Sequence, residues 1–208
     1  FNSAGRAIFP GGVLAQVDVG DEGIAGELTI ETALLNVSDG SKIQVGSFGS
    51  GDAGVLTIRA DDVNLFNTAD PTFFTGIFGG ILQDPNSSTT LPEGNGGQVN
   101  IYAERVSVRD GSRVTADVSG LGEGGTIFIQ ANERLEVVGD SKTTPSTIGA
   151  EVNPPGVVTP ISPEQIVGSG GDVVIEAGQI SLREGGTLSD STIGNGDSGD
   201  YRVRDTQL

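Results

Sequence analysis

Any chemistry in this chain must come from carboxylates. It carries 28 aspartates and glutamates against 11 lysines and arginines, with no histidine and no cysteine. Missing histidine removes the commonest general base, and missing cysteine removes thiol nucleophiles, zinc–thiolate sites and disulfides together. Two kinds of carboxylate chemistry stay open. The first is a calcium site, which takes about six or more oxygens. Asp39, Asp110, Asp140 and Glu184 recur at equivalent turns and could stack as a carboxylate ladder, so calcium is the one cofactor with candidate ligands. The nonapeptide calcium repeat is absent, since GSGGDVVIE (168–176) fails its spacing, and Asp before Gly also simply makes turns. The second is cleavage of a polysaccharide, which needs carboxylates on neighbouring strands beside a basic residue or a metal. Glu31, Arg59, Glu104 and Glu176 are outward candidates, while Asp61-Asp62 and Glu133-Arg134 fall at a bend. None recurs as a cluster, and charges of this kind ordinarily solvate an outer sheet face and discourage lateral pairing. The chain reads as non-catalytic.

The formal net charge of -17 excludes the basic stripe of a nucleic-acid binder. It also disfavours anionic membranes and anionic polysaccharides unless cations bridge them, and suits a soluble protein working outside the cell. No run of about 18 apolar residues is present, so membrane insertion is not expected. Phe1 is neither an initiator nor the start of a signal peptide, which points to a window cut from a longer chain. Apolar residues make up 35% and aromatics 5%, so a core must be built from Val, Ile, Leu and Ala.

The elements that would position these groups repeat. The pattern G-x-apolar-x-apolar begins at Gly26, Gly54, Gly97, Gly125, Gly171 and Gly199, at intervals of 28, 43, 28, 46 and 28 residues. Short units of 28 thus alternate with longer ones. Alternation of apolar and polar residues marks strands with one buried face, as in Val99–Ile101–Ala103, Val106–Val108 and Val114–Ala116–Val118. Turns recur as Asp39-Gly40-Ser41, Asp110-Gly111-Ser112 and Glu184-Gly185-Gly186, where glycine suits a left-handed backbone. The longer units open instead into insertions, one with Pro71, Phe73, Phe74 and Phe78, the other with Pro145, Pro154, Pro155, Pro160 and Pro163. A third strand stays visible within each, as GIFGGI (76–81) and TIGAEV (147–152), and GVLAQV (12–17) fits the same slot.

Matched apolar positions in every unit predict an all-β fold: a right-handed parallel β-helix, or β-solenoid, with three strands per coil. Stacked coils ~4.8 Å apart bury together what one coil cannot bury alone. Coils are expected over approximately 1–25, 26–53, 54–96, 97–124, 125–170, 171–198 and 199–208, with Ile30, Ile58, Ile101, Ile129 and Ile175 forming one inward ladder. An antiparallel sandwich leaves the 28-residue phase unexplained.

The string GELTIETALLNVSDGSKIQVGSFGSGDAG (26–54), with its partner at 97–125, resembles the tandem repeats of filamentous-haemagglutinin-like exoproteins. The alternating units are most similar to cyanobacterial members, and the resemblance covers essentially the whole chain. It implies export by two-partner secretion, a haemagglutination domain elsewhere in the full protein, and a role as adhesin, surface-layer or matrix protein. The expected function is therefore a non-enzymatic structural or adhesive rod, secreted or at the cell surface. It would associate with itself into fibres or a layer, or bind extracellular glycans. A carbohydrate-active β-helix is the alternative, marked by one unrepeated acidic cleft spanning three coils; a calcium-stabilised surface-layer protein is a second. Specific contact is expected from the insertions, through Phe73, Phe74, Phe78 and Ile81.

Overall fold

The computed structural model describes residues 11–18, 21–48, 50–67, 74–81, 92–139, 145–152, 167–193 and 195–205. Among them the regular elements are strands: β1 (Gly12–Val17), β2 (Glu27–Ser38), β3 (Lys42–Ser47), β4 (Val55–Phe66), β5 (Gly76–Phe78), β6 (Gln98–Arg109), β7 (Arg113–Thr115), β8 (Thr126–Val138), β9 (Thr147–Gly149), β10 (Val173–Ala177), β11 (Ile180–Arg183), β12 (Thr187–Ser189) and β13 (Tyr201–Asp205). Two parallel sheets result. One runs β1-β3-β5-β7-β9-β12; the other runs β13-β10-β8-β6-β4-β2, with β11 also against β8. An all-β arrangement of parallel, unclosed sheets is consistent with a β-solenoid at this coarse level.

Register turns the sequence repeat into columns. Ile30, Ile58, Ile101, Ile129 and Ile175 are successive partners, and Val203 extends them. Ile58, Ile101, Ile129 and Ile175 are fully buried. The column Thr32–Ala60–Ala103–Ala131–Ala177 runs beside it, its small side chains fitting where the strands bend. From the other sheet, Ile43, Ile77, Val114, Ile148 and Leu188 close the same core.

One expectation changes in detail. The first two apolar runs of a unit do not form separate strands in β2, β4, β6 and β8, each of which continues for 12 or 13 residues. No glycine or proline interrupts them, so pairing resumes directly after the bend at Ala33, Asp61 and Glu104. Where Gly178 does intervene, β10 and β11 are separate.

The recurrent glycines have a steric cause. A Cβ on Gly125 would lie 2.2 Å from the carbonyl oxygen of Gly97, and one on Gly97 would lie 2.3 Å from that of Gly54. Each layer can approach the previous one only where neither carries a side chain.

Candidate functional site

Alternate residues of the long strands point away from the core. On that outer face Glu31, Arg59, Tyr102, Gln130, Glu176 and Arg204 are successive partners, a row in which a Glu–Arg step at each end flanks Tyr102 and Gln130. Tyr102 packs against Phe128 of the neighbouring row, with ring centroids 5.6 Å apart and planes tilted by 49°. The Arg59 guanidinium lies 4.7 Å from the Tyr102 ring centroid, and its Nε is 3.8 Å from Glu31. Along the bend a relay of planar groups follows. Gln130 donates to Asn132 Oδ1 at 3.0 Å, and Asn132 donates to Glu104 Oε1 at 2.9 Å. Glu31, Arg59, Tyr102, Gln130, Asn132 and Glu104 line an open groove of about 610 Å³, which also takes in Thr32 and Asp61.

Past the bend the charges are tied together. Arg105 donates to both oxygens of Asp62, at 2.6 and 2.9 Å, and to Glu133 at 2.8 Å. This fork holds the Asp62 carboxyl below its usual range. Further along, the buried Glu136 carboxylate receives Arg109 from one side and Arg183 from the other, clamping three successive strands.

Comparison with family models, with curated proteins and with solved structures found no match. Function must therefore be argued from the placement of the residues themselves.

Of the outward candidates, Glu31, Arg59 and Glu104 meet in the groove, with Asp61 at its edge. Glu176 lies apart and faces Arg204 at 3.5 Å. Asp39, Asp110 and Glu184 do occupy equivalent turns, with φ of 53°, 54° and 51°. They are not adjacent rungs of one ladder. Ser38 pairs with Phe66, and Arg109 and Arg183 both pair with Val138, so one intervening layer separates each from the next. That places them two strand spacings, ~10 Å, apart. Asp140 falls outside the described residues, among which no group of three metal-ligating side chains converges.

The contact residues expected in the insertions divide. Phe73 falls outside the described residues. Phe74 is exposed beneath the Arg113 guanidinium, 4.2 Å from its ring centroid, and Phe78 is half-buried with Lys42 Nζ at 5.6 Å. Ile81 corrects the expectation: it is fully buried, because its backbone pairs with Ser47 and Val118 and its side chain joins Ala53, Val118 and Val152 in a second small core.

Two features escape the sequence reading. Thr75 and Ser146, both fully buried, accept the N–H groups of Gly40 and Gly111 at 2.7 and 3.0 Å, so the layer above caps each Asp-Gly turn. Their signal was a Ser or Thr directly before the third strand in four successive units: Ser41, Thr75, Ser112 and Ser146. The other is Asp117, whose carboxyl is pushed up to about 6, chiefly by burial. Its Oδ1 accepts the Glu151 N–H at 2.9 Å, which only partly offsets that cost. Burial and the nearby Asp172, Asp200 and Glu151 carboxylates raise Asp190, and burial beside Asp190 raises Tyr201. Among the described residues no helix is long and apolar enough to cross a membrane.

Proposed function

We propose that the chain is a segment of right-handed parallel β-helix, with coils at the spacing of its sequence repeat, that serves as a non-enzymatic structural and adhesive rod. The observation that carries this reading is the column register: Ile30, Ile58, Ile101, Ile129, Ile175 and Val203 pair in succession across six parallel strands. The rod would self-associate into fibres or a surface layer, in the manner of the filamentous-haemagglutinin-like exoproteins that the repeats resemble, outside the cell or at its surface.

Electron microscopy of the purified protein, with and without a calcium chelator, tests this. Regular filaments support the rod, and fraying on chelation would revive a calcium-stabilised layer. Short monodisperse particles in both conditions contradict filament formation.

The second reading, a carbohydrate-active β-helix, is favoured by the groove, which brings Glu31, Asp61 and Glu104 from three different strands to one hollow. Against it, the groove is open, and one carboxylate is engaged by Arg59 and another by Asn132. Release of reducing ends or unsaturated products from polysaccharides would establish it.

A further inference from the structure

We propose that the groove across β2, β4, β6 and β8 binds a segment of uncharged polysaccharide, with Tyr102 as its stacking platform. The inference deepens the adhesive part of the rod reading, and rests on it, by naming a ligand class and a site on the sheet face distinct from the insertions.

Four observations converge. The first is the aromatic pair. Tyr102 is half-exposed on the outside of the sheet, and the exposed Arg59 guanidinium over its ring at 4.7 Å is held only by a 3.8 Å contact to Glu31, so the C–H face of a sugar ring stacks there by displacing it. Phe128 at 5.6 Å fixes the orientation of Tyr102, so little freedom is lost when a ring stacks on it.

The second is the relay Gln130–Asn132–Glu104. Each member spends part of its hydrogen-bonding capacity on its neighbour and keeps the rest. The Gln130 carbonyl oxygen, one Asn132 N–H and the second Glu104 oxygen are not used in the relay. Donors and acceptors held side by side in planar groups match neighbouring hydroxyls, each of which both donates and accepts.

The third is charge. Glu31, Asp61 and Glu104 outnumber the one groove cation, Arg59, which already faces Glu31. The whole chain carries -17. Anionic glycans are repelled, and an uncharged chain is the polymer that takes hydrogen bonds here without meeting the field.

The fourth is shape. The groove crosses four strands, ~14 Å at the inter-strand spacing, which accommodates a short run of sugar units rather than a single one. It is built from strand residues, so the platform and the relay keep fixed positions relative to one another.

Affinity electrophoresis of the purified chain through gels containing a soluble neutral β-glucan, a galactomannan, alginate or chitosan tests the proposal. The expected result is retardation by at least one neutral polymer, insensitive to added salt, with none by alginate. Tyr102→Ala should weaken it about tenfold or more, equivalent to ~1.4 kcal/mol, and Tyr102→Phe should keep it. Asn132→Ala, a second variant in an exposed position, should weaken it without changing the melting temperature. Three results overturn the proposal: no retardation by either neutral polymer, retardation that survives in Tyr102→Ala, or binding confined to chitosan and abolished by salt. Filaments seen in the microscope alongside any of these would leave the rod standing and remove only its glycan site.

Discussion

The two faces of the long sheet are made by alternate residues of the same strands, yet they follow opposite rules. Inward, one column reads Ile30, Ile58, Ile101, Ile129, Ile175. Outward, the next row reads Glu31, Arg59, Tyr102, Gln130, Glu176. A stack of layers needs the same shape at the same place each time, so the inner face is repetitive by physical necessity. Nothing in the stacking constrains the outer row, which is free to differ from layer to layer and so to carry specificity. Stability resides in what repeats, and recognition in what does not.

That contrast can be broken from either side. Ile129→Ala should have the largest effect, about 4 kcal/mol of lost stability, because a fully buried side chain leaves a cavity between two neighbouring layers. Chemical denaturation reads it directly. Gly125→Ala should come next, at about 2–3 kcal/mol, since its Cβ would meet the Gly97 carbonyl oxygen at 2.2 Å and the Ala116 Cβ at 2.8 Å. A wild-type denaturation midpoint in that variant would show that the layers can spread, and that the glycines are there for another reason.

Asp117 sharpens the contrast with a pH profile. Its carboxyl is raised in the folded chain, so between 3.8 and about 6 the folded state binds more protons than the unfolded one. Stability contributed by the neutral form is therefore complete below that window and lost as pH rises through it. Asp117→Asn cannot ionise and should melt higher than wild type at neutral pH, with the two curves converging in acid. A constant difference across the range would place the effect elsewhere.

The smallest effect is expected at Arg105, which joins half-buried Asp62 and exposed Glu133 across neighbouring strands. Arg105→Ala should produce a slight loss at low ionic strength that disappears in high salt.

Much of the inner face was legible in the sequence, because burial leaves a periodic signal: the columns headed by Leu28 and Ile30 pair at the intervals of the repeat, while past the bend an extra residue in β8 sets Val106 against Leu135, 29 residues on. The groove was less so. Glu31, Arg59 and Glu104 were identifiable as outward, but that Tyr102 reaches Phe128 depends on a diagonal contact between adjacent strands, which alignment of repeats does not display. Ile81 was misjudged because a glycine-rich insertion looks exposed, whereas its backbone had already rejoined the ladder. The acidic turns read as a ladder because equivalent positions of the units were aligned, whereas the layer between Asp39 and Asp110 carries Phe66-Asn67 there.

The central claim is that the two faces of one sheet divide stability from recognition, and side-by-side thermal melts of Tyr102→Ala and Ile129→Ala test it most directly. Tyr102→Ala should melt with the wild type while Ile129→Ala falls by about 10 °C. Equal losses in the two variants would contradict it, making Tyr102 a packing residue and the outer row part of what holds the layers together.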